Sequence, residues 1–270
     1  MQPKIEIVIF SKDRALQLDS LIRSIRDNTD LSSSRIYILY KSTNSSYQQG
    51  YNKLTAMNYL RNISWIKEDS FKGDLTRILE EVQDKSLLMF LVDDNIFHRE
   101  ITTSEITRKF TRRHLFISLR VSTKYAESLP DFININNYLE WKWTDRKNRL
   151  NTWGYPFSVD GNIYSAGFIK KTIIKTNFSA PNTLEGNLDK KKSSFFVKTK
   201  SRALAPSNPC LFNNPLNKVQ SEWETWNASI NTDILNEMYL KGKIIDNKTI
   251  YKSEPNAPHF FLKPEFKDQE

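Results

Sequence analysis

The sequence is poor in cysteine, glycine and histidine, and it contains no long apolar run. Its one cysteine, Cys210, excludes an intramolecular disulfide and a four-cysteine zinc site, and it fits a reducing, cytoplasmic environment. None of the loops after the apolar runs of the first half is glycine-rich, so both the dinucleotide-binding fingerprint and the P-loop are missing. No apolar segment approaches the length of a membrane span, and the N-terminus lacks the basic and apolar regions of a signal peptide.

The chain carries an excess of positive charge. Forty Lys and Arg stand against 31 Asp and Glu, which gives a net charge of +9. Such a balance attracts nucleic acid, nucleotide phosphates or an anionic membrane surface. Apart from the stretches 108–113 and 190–192, the basic residues are dispersed, whereas nucleic-acid-binding proteins usually show a stronger basic stripe. We therefore expect no nucleic-acid partner. If the protein works at a membrane, we expect it to lie on the inner membrane face and not to span the bilayer.

The first half of the chain alternates between two hydrophobic patterns. Nearly continuous apolar runs at 5–10, 35–40, 63–66 and 87–92 predict strands buried on both faces. Between them, apolar residues three or four positions apart predict helices over 18–25, 54–60 and 71–82. This alternation is typical of an α/β fold with a mostly parallel central sheet flanked by helices. The polar segments 11–14, 41–44, 68–74 and 93–95 should then meet at the carboxyl ends of the strands, where such sheets bind ligands.

The second half is less regular. Residues 114–119 and 138–143 resemble strands, and 167–176 and 231–240 resemble helices, with loops rich in Pro and Asn between them. We find no repeat and no linker. The prediction is one domain, 1–270, with a nucleotide-binding half (1–100), an acceptor and catalytic half (101–262) and a frayed tail (263–270).

The strongest local signal is Asp93-Asp94-Asn95, directly after the most apolar run. Carboxylates are costly where a chain leaves a low-dielectric interior, but they are suited to hold a hard divalent cation such as Mn²⁺ or Mg²⁺. Such a cation can bridge a diphosphate and neutralise a departing nucleoside diphosphate. The alternative interpretation is an ordinary turn or a helix cap before Ile96.

An acidic turn that ends this alternation resembles the glycosyltransferases of the GT-A fold. More narrowly, the chain is similar to bacterial glycosyltransferases associated with surface polysaccharide (O-antigen or capsule) synthesis, through the stretches 9–14, 39–42, 90–95, 155–161, 181–185 and 217–220. The resemblance implies transfer of a sugar from a nucleoside-diphosphate sugar to a glycan or lipid-linked glycan acceptor. One position departs from the GT-A pattern, because Asn95 stands where a second metal-chelating acid is common.

The resemblance also implies roles for individual residues. The nucleotide and its diphosphate would be held by seven residues: Ser11, Asp13, Arg14, Lys41, Ser42, Asp74 and Asp94. The metal would be held by Asp93, Asn95 and a late histidine, His259. Two of these have plain alternatives: Asp74 as an early-helix acid favoured by the helix dipole, and His259 as a partly buried histidine among aromatic residues.

An inverting transfer, the stereochemistry we favour, needs a general base at the acceptor hydroxyl. Glu185 follows Asp93 at about the distance implied by the resemblance, and Asp160 is the second candidate, whose alternative is turn chemistry before Gly161. Four aromatic residues could form an acceptor platform or simply pack in the core: Trp141, Trp143, Trp153 and Tyr155.

Two other classes of function are open. A sugar-phosphate nucleotidyltransferase would share the nucleotide fold, but segment 11–14 contains no glycine. A non-enzymatic protein that binds polyanions or nucleic acid would use the positive charge alone.

Overall fold

The computed structural model describes residues 3–125, 129–148, 151–217 and 230–269. The first hundred residues alternate strand and helix as predicted: β1 (Ile5–Lys12), α1 (Ala15–Asn28), β2 (Ile36–Lys41), α2 (Ser45–Ala56), β3 (Ile63–Lys67), α3 (Phe71–Glu81) and β4 (Leu87–Val92). Helices α2 and α3 each begin at a residue whose polar side chain caps the helix N-terminus. Asn44 accepts a hydrogen bond from Tyr47 N at the start of α2, and Ser70 accepts one from Gly73 N at the start of α3.

The rest of the chain forms shorter elements. They are β5 (Asn95–Phe97), α4 (Thr103–Lys109), β6 (His114–Ser118), β7 (Phe132–Asn134), β8 (Tyr138–Lys142), β9 (Asn162–Ser165), α5 (Ala166–Ile174), α6 (Pro181–Asp189), α7 (Phe195–Lys198), β10 (Arg202–Pro206), β11 (Leu211–Asn213), α8 (Thr232–Leu240), β12 (Lys243–Ile245), α9 (Asn247–Tyr251) and β13 (Phe266–Asp268). None of the described helices is long and apolar enough to cross a bilayer.

One sheet of nine strands runs through the described chain in the order β3-β2-β1-β4-β9-β6-β10-β8-β7. The pairings of β1 with β2 and β4, of β2 with β3, and of β6 with β10 are parallel, while β9 and β8 are antiparallel to their neighbours. Seven of these nine strands therefore point the same way. The sheet contains strands from both halves of the chain.

The core has two layers, one on each face of this sheet. Successive side chains of β1 alternate between them, as strand geometry requires. Ile5, Ile7 and Ile9 pack in the layer that contains α1, α2 and α8. Val8 and Phe10 pack in the layer that contains α3 and α5. Because both faces are covered, β1 and β4 read as continuous apolar runs rather than as alternating ones.

Two predictions about the chain need correction. Helix α2 ends at Ala56, so the predicted continuation to residue 60 is wrong. The tail over 263–269 is not frayed, because β13 pairs antiparallel with β12. The ladder satisfies the backbone of the tail, and Gln269 Nε2 also donates to Tyr59 Oη at 3.2 Å. Glu270 lies outside the described residues.

The tryptophans of the second half belong to the core. Trp141 and Trp153 are fully buried, pack edge to face at 5.0 Å, and are joined by a 2.8 Å hydrogen bond from Trp141 Nε1 to the Trp153 carbonyl. Trp143 is 3% exposed and donates its Nε1–H to the Lys200 carbonyl. None of these three rings can offer a face to an acceptor sugar, so the packing alternative is the correct one.

Candidate functional site

The polar strand ends meet where β1 and β4 finish side by side. Phe10 pairs with Val92 in the parallel ladder, and Asp93 N donates to the Phe10 carbonyl at 3.1 Å. Because β1 and β4 are adjacent, the acidic turn lies against the loop that joins β1 to α1. Arg14 is the last residue before α1, so it stands at the positive end of that helix dipole.

Arg14 holds both acids of the turn. Its Nη1 lies 3.0 Å from Asp93 Oδ1 and 3.2 Å from Asp94 Oδ2, and its Nη2 donates to the Asn217 carbonyl. The second oxygen of Asp93 accepts from Lys12 N at 3.1 Å. The guanidinium thus occupies the space between the two carboxylates, which is where a bridging cation would bind.

Burial dominates the electrostatics of this group. The pKa of Asp93 is raised to about 6 by desolvation; the charge of Arg14 opposes the shift and that of Asp94 adds to it. Burial acts to lower the pKa of Arg14, but the attraction of Asp93 and Asp94 outweighs it and the pKa is raised. Arg14 therefore keeps its positive charge inside the site.

Asn95 is fully buried and uses both ends of its amide within the protein. Its Oδ1 accepts from Val92 N at 2.9 Å, which closes the turn, and its Nδ2 donates to Asp160 Oδ1 at 2.7 Å. These contacts are those of a turn residue, and they join the acidic turn to Asp160. A metal-binding role for Asn95 stays a prediction.

Asp160 is the centre of a second polar group. Arg120 Nη1 lies 2.9 Å from Asp160 Oδ2 and donates to Asn213 Oδ1 at 2.7 Å. Asn213 Nδ2 then donates to Asp160 Oδ2 at 3.0 Å and to Asp94 Oδ1 at 2.7 Å. Asn213 and Asn95 therefore both join the acidic turn to the group around Asp160, which makes one network.

His259 lies at the edge of this network, beside Arg120 and Asp160 and not in contact with Asp93. Its Nε2 is 3.2 Å from Arg120 Nη1 and 3.9 Å from Asp160 Oδ2. The loss of water on its protein-facing side and the charge of Arg120 lower its pKa, although 59% of the side chain stays exposed. A neutral ring is thus available beside Arg120.

Glu185, on the second turn of α6, lies next to Asp160. Its Oε1 accepts from Val159 N at 2.6 Å, and Tyr155 Oη donates to its Oε2 at 3.4 Å. Burial raises the pKa of Glu185 to about 7; the Val159 hydrogen bond opposes the shift, and the charge of Asp160 adds to it. A carboxyl group with a pKa near neutrality can take up and release a proton under ordinary conditions.

The predicted nucleotide residues at β1 and β2 are brought together. The Ser11 hydroxyl is 2.7 Å from Tyr51 Oη, which also accepts from Arg14 N at 3.2 Å. Asp13 adopts a left-handed backbone with φ of 57°, and its carboxylate accepts from Thr43 N at 2.7 Å and from Thr43 Oγ1 at 2.9 Å. Asp13 therefore ties the loop after β1 to the loop after β2.

The other three predicted nucleotide residues already have protein partners. Lys41 Nζ lies 2.9 Å from Glu68, and the Ser42 hydroxyl donates to Gln48 at 2.8 Å, both at the carboxyl end of β2.

Asp74 is 1% exposed, and its carboxylate holds the backbone before α3. One oxygen accepts from Asp69 N at 2.8 Å and Ser70 N at 2.9 Å, and the other is bound to Arg77. The alternative of an early-helix acid accounts for all of these contacts.

Two buried N–H groups in the network have no partner among the described residues, Arg14 Nε and Arg120 Nε. An unpaired buried donor is costly, and most such donors find a partner when a ligand or water binds. Guanidinium groups pair well with phosphate oxygens. The network can therefore accept an anionic ligand through both arginines.

The same contacts decide whether a divalent cation fits. All four carboxylate oxygens of Asp93 and Asp94 already accept from Arg14, Lys12 N or Asn213. No group of three or more His, Cys, Asp or Glu arranged for a metal occurs among the described residues. In this arrangement the residues do not fit a divalent cation, because Arg14 supplies the positive charge in its place.

Sequence reasoning missed Arg120 and Asn213. Arg120 follows the buried strand β6, so the rule that polar residues after a buried strand mark a site would have found it. Asn213 ends the three-residue strand β11 within an Asn-Pro loop and carries no local signal. Of the resembling stretch 217–220, only Asn217 is described, and 218–220 lie outside the described residues.

Two comparisons bear on these observations, and no family model matches the chain. The chain is 21% identical over 292 residues to the bifunctional glycosyltransferase pgtA of Dictyostelium discoideum, with 95% of this chain and 38% of that protein covered. The chain thus spans well under half of that relative. The crystal structure of S. aureus TarS 1–349 in complex with UDP aligns with a TM-score of 0.50 and 12% identity, over 77% of this chain and 59% of that chain. At this identity the likeness concerns the fold, and the predicted α/β, GT-A-like fold is confirmed.

Proposed function

We propose that this chain is a glycosyltransferase that moves a sugar from a nucleoside-diphosphate sugar to a glycan or lipid-linked glycan acceptor, with inversion. The observation that carries the proposal is the pair of buried arginines, each with an unpaired Nε–H, at the carboxyl edge of the parallel strands. This edge is where open α/β sheets bind nucleotides. The glycosyltransferase relative and the fold shared with UDP-bound TarS support the same class.

The diphosphate would bind to Arg14 and Arg120, next to the N-terminus of α1. Both guanidinium groups keep N–H donors for phosphate oxygens, and both are held in place by Asp93, Asp94 or Asp160. As the bond between the anomeric carbon and the diphosphate breaks, negative charge develops on the leaving oxygen. Fixed positive groups stabilise that charge most in a site that excludes water.

Glu185 is the proposed general base. The acceptor hydroxyl oxygen attacks the anomeric carbon from the face opposite the diphosphate, and its proton passes to the Glu185 carboxylate. The nucleoside diphosphate leaves with the electron pair of the broken bond. Asp160 is the second candidate, but its ion pair with Arg120 keeps it occupied, so we place it as a positioning residue.

The base and ribose would lie over the loops after β1, β2 and β3, near Ser11, Asp13, Lys41, Ser42 and Asp74. Lys41 is the most available of these, because 46% of its side chain is exposed and its Nζ is paired, among the described residues, with Glu68 alone. Mn²⁺ or Mg²⁺ stays a prediction from the acidic turn. The contacts of Arg14 favour a diphosphate site that works without a bound metal.

A panel of UDP, GDP, CDP and dTDP tests the donor site by thermal shift, with and without EDTA, since a ligand of the native state raises the apparent stability. We expect at least one nucleoside diphosphate to raise the melting temperature, and the matching sugar nucleotide to be hydrolysed by the wild type. Arg14→Ala should lose both, because it removes a guanidinium group that would bind the diphosphate, whereas Arg61→Ala at the exposed surface should keep both. Equal hydrolysis by Arg14→Ala, or no response to any nucleotide, would remove the proposal.

A further inference from the structure

Most of the net positive charge of the chain lies in one segment far from the nucleotide loops in sequence. Residues 166–202 contain eight Lys and one Arg but only two acids, Glu185 and Asp189. This segment therefore carries +7 of the net charge of +9. It includes α5, α6 and α7 on one face of the sheet.

Local ion pairs leave most of this charge uncompensated. Glu185 is turned inward to Val159 N, and Asp189 is paired with Lys192 at 2.8 Å. Lys170 reaches Asp84 at 3.0 Å. Within the described chain, six lysines of the segment make no ion pair: Lys171, Lys175, Lys190, Lys191, Lys198 and Lys200. Burial lowers the pKa of Lys191, and the charge of the neighbouring Lys175 lowers it further.

The same segment carries an exposed pair of aromatic rings. Phe195 is 86% exposed and Phe196 is 59% exposed, both in the four-residue helix α7. Phe196 stacks on Phe168 of α5 with ring centroids 5.1 Å apart and planes 16° apart. The stacking fixes α7 against α5 and leaves Phe195 pointing away from the core. Two adjacent exposed rings form a small apolar patch, and an apolar patch rimmed by charged residues is typical of a contact surface.

Lysines lie beside Phe168, the ring on which Phe196 stacks. Lys171 lies on α5 three residues after Phe168, and Lys175 caps the C-terminus of α5 seven residues after it, so both lie on the side of the helix that carries Phe168. Lys200 Nζ lies 5.5 Å from the centroid of the Phe168 ring. We call this surface the α7 patch, and it consists of Lys171, Lys175, Phe195, Phe196, Lys198 and Lys200.

We propose that the α7 patch docks on the surface of an anionic lipid bilayer. Phe195 and Phe196 would enter the headgroup region while the lysines contact lipid phosphates, the usual arrangement of an interfacial amphipathic surface. The chemistry favours a bilayer over nucleic acid. One face of the Phe196 ring is already covered by Phe168, and the basic residues are almost all Lys, which lacks the planar group that reads and stacks on bases.

This inference names a surface on which a lipid-linked acceptor would be met, but it does not depend on sugar transfer. Helix α6 carries Glu185 and leads through residues 190–194 to α7, so a docked patch would orient the proposed base relative to the bilayer. Membrane binding and nucleotide binding can therefore be measured separately in the same protein. A protein that does not bind vesicles could still bind nucleotides, and a protein that does not bind nucleotides could still bind vesicles.

Flotation with vesicles of phosphatidylcholine alone, or mixed with phosphatidylglycerol, tests the proposal. The wild type should bind the anionic vesicles, and salt should weaken that binding. Lys171→Glu with Lys175→Glu should weaken it at least about 25-fold, taking roughly fivefold for each lysine near the surface. The matched control is Lys248→Glu with Lys252→Glu, in the first turn of α9 and just beyond its end, which changes the net charge equally. It should weaken binding less than about fivefold.

Phe195→Ser tests insertion of the ring. It should lower anionic-vesicle binding by about tenfold, since part of a phenyl group loses its burial. Because Phe195 is 86% exposed, the melting temperature and its shift by nucleoside diphosphates should not change. The proposal would be overturned if the two double-lysine variants lost vesicle binding equally, or if the wild type bound both kinds of vesicle equally. It would also be overturned if the protein bound an oligonucleotide and did not bind vesicles.

Discussion

Glu185→Gln should make the protein more stable at neutral and alkaline pH. The pKa of Glu185 is raised by burial from its ordinary 4.5 to about 7. A folded-state pKa above the unfolded value means that the folded protein holds a proton that the unfolded chain has already released. Stability therefore falls as the pH rises between these two values, and the loss is complete above the folded pKa. Glutamine does not ionise and escapes this loss.

The expected gain follows from the size of the shift. A difference of about 2.5 pH units corresponds to about 3 kcal/mol, an upper estimate, at about pH 8. For a chain of this size that is roughly 6–12 °C in melting temperature. At about pH 4.5 the two proteins should differ little, because Glu185 is protonated in the folded wild type. Glutamine keeps the acceptor for Val159 N, so the backbone contact survives the substitution.

Urea unfolding of both proteins from about pH 4.5 to pH 8 provides the measurement. The control is Glu80→Gln, on the exposed face of α3, which removes the same charge from the surface. Surface substitutions of this kind change stability by less than about 0.5 kcal/mol. If the wild type and Glu185→Gln lose stability in parallel across the whole range, Glu185 is not held in its protonated form and its assignment as base loses its physical ground.

Three further outcomes test the site. Sugar transfer should increase with pH to a plateau above about 7 in steady-state assays, and Glu185→Gln should lower kcat by about 10²–10⁴; a flat profile would contradict a base there. Arg14→Ala should cost about 3–5 kcal/mol in urea unfolding because two buried carboxylates lose their cation, while the exposed Arg61→Ala should cost under about 0.5. Mn²⁺ should raise the melting temperature of Arg14→Ala and not of the wild type; equal shifts would place the cation elsewhere.

The first half of the fold could be predicted because its strands are long and buried on both faces. The strands β1 and β4 are visible as apolar runs, and the helices between them show their period in the sequence. Strand β9 was not found, although it lies in the middle of the sheet between β4 and β6. It has four residues, follows a turn at Gly161, and pairs with residues 44 or more positions away, so no local pattern reveals it.

The site shows the same division between local and distant information. The acidic turn could be predicted because two carboxylates directly after a buried strand are costly unless something binds them, and both acids and the strand are adjacent in the sequence. Their partners could not. Arg120 and Asn213 reach Asp160 and Asp94 from positions 40 and 119 residues away, through contacts that exist only when β6 and β11 are placed.

The sequence predicts a bound cation beside Asp93 and Asp94, and in the structure Arg14 supplies the positive charge there. This changes what a nucleotide must do on arrival. A diphosphate that binds Arg14 uses the N–H groups that Asp93 and Asp94 leave free, Nε first, and it adds negative charge to a buried acidic pair. Because the pKa of Asp93 is already raised to about 6, the added charge should raise it further and draw a proton onto the pair. Nucleotide binding at about pH 7 should therefore take up protons, which calorimetry in buffers of different ionisation enthalpy measures directly. Asp93→Asn should abolish the uptake while keeping the shape of the site, and binding without proton uptake in the wild type would show that the diphosphate meets the arginines from the side of Asp160 instead.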